Sequence, residues 1–329
     1  MATNLRAGLI GLGMMGRHHA RNLRALDGVD LVAVADPGGD LHGAASGLDV
    51  LPDARSLIEA GIDYAVVAVP TQFHREVALT FAEAGVHCLV EKPLAFDIDE
   101  AEEIARVFEA AKLVGAVGYI ERYNPALQEM RSRIADGQLG QIYQISTRRQ
   151  GTFPNRIHDV GVVKDLATHD LDLTTWVAQS AYATVSGMST RRSGREDEDM
   201  VSIAGRLADG TITNHMVNWL SPFKERITVV TGENGALVSD TIKADLTFHA
   251  NGRAANVWET MASFRGVSEG DSVRYALQRT EPLRSEHQAF RDAVLGDPSG
   301  IVTMREGLHT ARVVEAVLES ERTGCTVSL

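Results

Sequence analysis

The chain has 329 residues, 44% hydrophobic and 23% charged, and its 32 Lys and Arg face 44 Asp and Glu for a formal net charge of −12. That length suggests two domains at about 100–200 residues each, and the composition is that of an ordinary globular protein. The acidic balance argues against non-specific nucleic-acid binding or an anionic membrane surface. Two cysteines, Cys88 and Cys325, form neither a metal motif nor a disulfide framework, which fits a reducing, cytoplasmic compartment. No signal-like core with a cleavage site is evident near the first residue. No apolar run of about 18 residues predicts a transmembrane helix.

From the first residues onward, short apolar runs alternate with helix-like stretches. Strands are predicted over Leu5–Ile10, Leu31–Ala35, Tyr64–Val69, Val86–Val90 and Leu113–Gly118. Helices are predicted over Met14–Ala25, Ser56–Ala60, His74–Ala84 and Asp99–Ala111. Strands separated by helical patterns are the signature of βαβ units around a parallel sheet. The strand runs are β-branched and nearly continuous, as expected when helices cover both faces.

After Tyr119 the pattern changes. Asn124–Ala135 reads as a helix with Pro125 in its first turn, Gln141–Arg149 as a strand and Leu166–Ala178 as a helix. Strand-like runs follow at Ala183–Met188, Met200–Leu207, Thr211–Trp219, Arg226–Thr231, Ala236–Ser239 and Leu246–Ala250, which predicts a mainly antiparallel sheet. Gly266–Arg279 is polar and irregular and reads as a surface loop; Ser285–Leu295 and Arg305–Glu321 read as closing helices. The expected division is a first domain over residues 1–120 and a second over 121–329.

Gly11-Leu12-Gly13-Met14-Met15-Gly16 is a G-x-G-x-x-G run between a predicted strand and a predicted helix. The first glycine permits a tight turn, the second lets a diphosphate approach the backbone, and the third packs helix on strand. A helix N-terminus there offers free N–H groups to the anion. Asp36 ends the second strand, twenty residues past Gly16, where a carboxylate accepts bonds from the ribose hydroxyls of a dinucleotide. No arginine directly follows it to receive a 2′-phosphate, so NAD is expected in preference to NADP. Residues 1 to about 120 are thus expected to form a dinucleotide-binding Rossmann domain.

Glu91-Lys92-Pro93 follows the fourth strand run, and with the glycine loop, Pro70-Thr71-Gln72-Phe73-His74 and the pair Asp165…His169 it resembles the glucose–fructose oxidoreductase/inositol dehydrogenase (Gfo/Idh/MocA) family over essentially the whole chain. The resemblance implies a Rossmann domain followed by an α/β domain with an open, mainly antiparallel sheet often used for oligomerisation, here to a homodimer or homotetramer. It implies NAD(P)-dependent oxidation or reduction of sugars, cyclitols or their derivatives. It places Met14, Met15, Pro70, Thr71, His74 and Glu91 beside the cofactor, Lys92 near the nicotinamide and the reacting hydroxyl, and Asp165 and His169 in the rest of the site. The stretches Gly118–Pro125 and Phe153–Gly161 are similar to a nucleotide-sugar branch that includes UDP-N-acetylglucosamine 3-dehydrogenase-like proteins, with C3 as a candidate carbon.

The residues support that chemistry in physical terms. Oxidising a secondary alcohol removes a hydride from carbon and a proton from oxygen, so one group must accept the proton and another must stabilise the developing alkoxide. Lys92 follows a parallel strand, at the sheet edge where ligands bind; its bland alternative is a solvated loop lysine. Asp165 and His169 are spaced i,i+4, which on an α-helix puts them on one face, and histidine exchanges protons near neutrality. The alternative is helix capping by Asp165 beside a structural histidine. Asp172 can fix the imidazole tautomer, while Asp170 points elsewhere. One histidine with two carboxylates also allows a metal reading, but hydride transfer needs none, and no metal is expected. Arg148, Arg149 and Arg156 flank the substrate side; Arg156 is the residue expected to hold an anionic substrate group. His18 and His19 on the first helix read as structural or cofactor-adjacent, and Trp219 and Trp258 as packing residues. A ketosugar or amino-sugar reductase and a cyclitol dehydrogenase remain open as activities, and a non-catalytic NAD-binding sensor is the reading from a different class.

Overall fold

A computed structural model describes residues 4–154, 160–252 and 269–329. The chain divides into two compact units, Met1–Tyr123 with Glu281–Arg312, and Asn124–Thr280 with Val313–Leu329.

In the first unit, strands β1 (Leu5–Ile10), β2 (Val29–Ala35), β3 (Val50–Leu51), β4 (Tyr64–Val67), β5 (His87–Glu91) and β6 (Gly115–Gly118) pair in the order β3-β2-β1-β4-β5-β6. Every pair is parallel. Helices α1 (Met14–Arg24), α2 (Ala54–Glu59), α3 (His74–Glu83) and α4 (Ile98–Ala111) make the crossovers. All four residues of β4 are buried, which accounts for its unbroken apolar run. Asp53 and Asp97 accept the Ser56 and Glu100 N–H groups (each 2.9 Å), so the starts of α2 and α4 carry the side-chain caps that their sequences offer. The strand order reverses between β1 and β4. In such sheets ligands bind outside the carboxyl ends of the strands at this switch point, and the loops leaving β1, β4 and β5 are the glycine loop, Pro70–His74 and the segment opening at Lys92.

Helix Pro282–Val294 belongs to this unit, where the sequence reading had given everything beyond residue 120 to the second domain. The reason is packing: Phe290 meets Tyr64 edge to face (centroids 5.3 Å apart), and Arg291 donates to the Asp27 carbonyl at 2.9 Å. Periodicity along a helix does not say which sheet its apolar face will cover.

Among the described residues the second unit carries nine strands: β7 (Ile142–Thr152), β8 (Tyr182–Thr190), β9 (Met200–Leu207), β10 (Ile212–Asn218), β11 (Leu220–Gly232), β12 (Gly235–Asp240), β13 (Asp245–Asn251), β14 (Glu269–Arg274) and β15 (Val327–Ser328). Their order is β14-β13-β12-β11-β7-β10-β9-β8-β15. Only β10 and β7 run parallel, so the mainly antiparallel expectation holds. Helices α5 (Pro125–Ala135) and α6 (Thr168–Ala178) bury Leu127, Met130, Leu173 and Val177 against Ile145, Val230 and Leu237 of the sheet. The expected loop Gly266–Arg279 is corrected over its described part: Glu269–Arg274 is a strand on β13. It is a polar edge strand held by backbone pairing and by the ion pair Arg274–Asp245 (2.6 Å), so it shows no apolar alternation to read.

Candidate active site

The glycine loop has the stereochemistry its spacing demands. Gly11 adopts φ +92°, and a Cβ there would lie 2.5 Å from the Ala68 carbonyl. A Cβ on Gly16 would come within 1.9 Å of the Gly11 carbonyl oxygen, so only glycine lets α1 start this close to the turn. Gly13 differs: nothing lies within 4 Å of its Cβ position, so its bare backbone faces open space. Gly13 also stands at the N-cap of α1 with no side-chain cap and no acid in the first turn. An open glycine backbone at a helix start without a side-chain cap leaves a diphosphate room to approach the N–H groups. Met14 and Met15 form the first turn, and Met14 is exposed.

Asp36 is braced to this loop. Its Oδ2 accepts the Leu12 N–H at 2.7 Å, and its Oδ1 accepts the Gly38 N–H at 2.8 Å. A carboxylate has about four acceptor positions, so capacity remains for ribose hydroxyls. NAD would be held by these residues when bound.

Pro70 and Thr71 enter a single 3-10 turn before α3. His74, expected beside the cofactor, is 1% exposed. Its Nδ1 and Nε2 face the carbonyl oxygens of Pro93 and Val69, each at 2.9 Å, and burial pushes its pKa down. The ring therefore braces the loop after β4 against the segment after Lys92.

Glu91 closes β5 and has its side chain 14% exposed. Its Oε1 meets His19 Nε2 at 2.9 Å, and its Oε2 accepts the Lys92 N–H at 3.1 Å. Burial pushes this carboxyl up, but the hydrogen bond and electrostatic attraction of His19, followed by the Lys92 charge, outweigh it and hold it below the usual range. His19 Nδ1 meets His287 Nε2 at 3.0 Å, with both rings fully buried. In the sequence His19 reads as structural or cofactor-adjacent on the first helix, and Glu286-His287 carries no motif. Two histidines 268 positions apart carry no local signal of their contact.

In the second unit, Asp165 (5% exposed) sits on one π-helical turn, Val163–Ala167, and His169 (8%) near the start of α6. Asp165 and His169 are thus joined through a π turn in place of the uniform α-helix that the i,i+4 reading assumes. Such single π turns occur frequently at functional sites. Glu198 holds the turn: its Oε1 accepts the Val163 N–H at 3.0 Å, and its carboxylate occupies the space a Cβ on Gly161 would need. Asp170 and Asp172 are buried with them, and Asp170 pairs with Arg149 at 2.9 Å. Arg149 is thus a buried structural partner, and Arg148 pairs with Glu225 at 3.0 Å. Trp219 packs in the apolar core of this unit. Arg156 and Trp258 lie outside the described residues. Among the described residues no group of three or more His, Cys, Asp or Glu is arranged to hold a metal ion, and no helix is long and apolar enough to cross a membrane.

Comparison with known proteins identifies the family. Residues 5–119 match the family described as "Oxidoreductase family, NAD-binding Rossmann fold", and residues 127–238 match the GFO/IDH/MocA C-terminal domain. The scyllo-inositol 2-dehydrogenase (NAD(+)) of Bacillus subtilis is 30% identical over 100% of this chain and 97% of its own. The UDP-N-acetylglucosamine 3-dehydrogenase of Acidithiobacillus ferrooxidans is 30% identical over 64% of this chain and 66% of its own length. A crystal structure of that enzyme superimposes with a TM-score of 0.84, at 24% identity over 97% of this chain and 98% of the other.

Proposed function

The chain belongs to the GFO/IDH/MocA family of NAD-binding oxidoreductases, and from that premise we propose that it moves a hydride between a ring hydroxyl of a sugar or nucleotide sugar, with C3 as the candidate carbon, and NAD. The observation that carries the reading is the open Gly13 backbone at an uncapped helix start with Asp36 fixed beside it. Bound NAD supplies the hydride acceptor. Lys92 stabilises the developing alkoxide with its ammonium, His169 takes the hydroxyl proton, and Asp165 orients and electrostatically supports them. Arg156 is assigned to an anionic group of the substrate.

The UDP-N-acetylglucosamine 3-dehydrogenase relative favours a nucleotide sugar. The full-length likeness to an inositol dehydrogenase favours a cyclitol as the second reading. The same residues serve the reverse direction, reduction of a ketosugar. We assign the protein to the cytoplasm, with the open sheet of the second unit joining copies into a homodimer or homotetramer.

The test is NADH formation from NAD⁺ with a panel of UDP-sugars and cyclitols, repeated with Lys92→Ala and His169→Ala. Turnover of a UDP-sugar is expected, with losses of about 10²–10⁴-fold in kcat for His169→Ala and a strong loss for Lys92→Ala at nearly unchanged NAD affinity. Tight NAD binding with no turnover of any panel member would point to a sensor instead. Near-normal kcat in both variants would remove the proposed catalytic set.

A further inference from the structure

We propose that Glu91 is a positioning residue for Lys92, aimed by a buried hydrogen-bonded chain through His19 and His287. The inference rests on the reading of Lys92 as the catalytic lysine. All four residues belong to the first unit.

The geometry gives the chain a direction. Two imidazole nitrogens at 3.0 Å, His19 Nδ1 and His287 Nε2, share one proton between them. His287 Nδ1 is buried with no hydrogen-bond partner among the described residues. A buried N–H without an acceptor is rarer than a bare acceptor, so the His287 proton sits on Nε2 and is donated to His19 Nδ1. The His19 proton then sits on Nε2 and is donated to Glu91 Oε1. Each ring thus presents its N–H towards the carboxylate that adjoins Lys92.

Every element packed on Glu91 supports a carboxylate in one place. From α1 comes the His19 N–H, and from its own strand end the Lys92 N–H and ammonium charge. From helix Pro282–Val294 come His287, kept neutral because burial pushes it well down, and Glu286. Burial and the charge of Glu91 push Glu286 well up, and both its carboxyl oxygens are buried without hydrogen-bond partners among the described residues. Both effects disfavour a second charge beside Glu91. From α3 comes His74, which feels the Glu91 charge and braces the Pro93 carbonyl. From β6 comes Gly118, whose missing side chain leaves the space: a Cβ there would lie 3.3 Å from Glu91 Cα, Cδ and Oε2. A buried carboxylate is costly unless it is hydrogen-bonded, and the His19 ring and the Lys92 N–H supply those bonds.

A purely structural cluster would lose stability when altered, at every pH and with any replacement. A positioning cluster has a different signature. Glu91→Gln keeps the shape and removes the charge, and is expected to lower kcat about 10- to 100-fold, the scale seen when a partner that orients a metal ligand is lost. His19→Leu removes the N–H that opposes burial, so Glu91 takes up a proton more readily; its kcat is expected to fall most at low pH and to recover as pH rises. His19→Gln keeps an N–H for Glu91 and is expected to restore most of the neutral-pH rate.

Wild-type kcat and an unshifted pH profile in folded Glu91→Gln would overturn the proposal, as would equal, pH-independent losses in His19→Leu and His19→Gln. Should the variants fail to fold, ¹⁵N-histidine NMR of the wild-type protein decides: both rings are expected as Nε2–H tautomers, and any other tautomer pattern overturns the chain. The same spectrum separates the two readings. Absence of turnover on every substrate would defeat the proposed activity, while the tautomers would still report whether the chain exists.

Discussion

Asp36 shows how one side chain can both build a loop and choose a ligand. Its two oxygens accept the Leu12 and Gly38 N–H groups, which anchors the carboxylate where the glycine loop turns. A fixed anion at that point attracts ribose hydroxyls and repels a 2′-phosphate, so kcat/KM with NAD is expected to exceed that with NADP clearly. Asp36→Ala should weaken NAD by roughly 10-fold or more, since hydrogen bonds to charged groups contribute about 1.5–3 kcal/mol, and should narrow the gap between the cofactors. Steady-state kinetics with both cofactors on both proteins checks this. A wild-type preference for NADP would mean that Asp36 does not face the ribose. Its role was legible because the spacing from Gly16 is a property of one βαβ unit. The neighbouring Glu91–His19–His287 contact was not, because it joins a helix at the start of the chain to one near its end.

At the scale of elements, what the sequence revealed follows the source of each element's stability. Strand β1 and strand β9 run over the same residues as expected, because their own apolar and β-branched side chains enter the core. The edge strand β14 and the two-residue strands β3 and β15 were missed, since backbone pairing to a neighbour defines them. The π turn at Val163–Ala167 begins three residues before the expected helix start at Leu166, because Glu198, which holds it, comes 35 positions later. A second long-range device sits inside the nine-stranded sheet. His215 on β10 is directly opposite Thr147 on β7, and its ring nitrogens meet Thr147 Oγ1 and Tyr182 Oη, each at 2.8 Å. Burial pushes the His215 pKa down to about 3. The unfolded chain therefore binds a proton here below about pH 6.5 while the folded chain does not, so stability is lost as pH falls from 6.5 towards 3. By linkage the full loss from this one group is about 4–5 kcal/mol. His215→Gln keeps hydrogen-bonding capacity and removes the titration. Urea unfolding at several pH values is expected to show a shallower acid limb for the variant, and identical slopes would contradict a buried neutral His215.

At the scale of the whole molecule, the nine-stranded sheet leaves one face open. Along β10, Thr213, His215 and Val217 are buried while Ile212, Asn214 and Met216 are exposed, so the strand has one core face and one open face. Pairing extends that open face sideways: Met188, Ser202, Met216, Arg148 and Ile227 stand opposite one another across β8, β9, β10, β7 and β11. Met188 is 75% exposed and Met216 36%, and Arg148 is already matched by Glu225. A broad face with large apolar groups and few unmatched charges suits burial against another sheet of its own kind, and a two-fold pairing would bring each row against its copy. A stable interface of this type covers about 1,200–2,000 Å² in total. Light scattering across a concentration series is expected to give a dimer or tetramer at micromolar protein. Met216→Glu places a like charge on both copies at the centre of the face and should raise the dissociation constant by about tenfold or more, while Met14→Glu, exposed in the other unit, should leave the assembly unchanged. A strictly monomeric wild type, or a Met216→Glu variant as associated as the parent, would place the contact elsewhere or remove it, and the exposed row would then need another explanation.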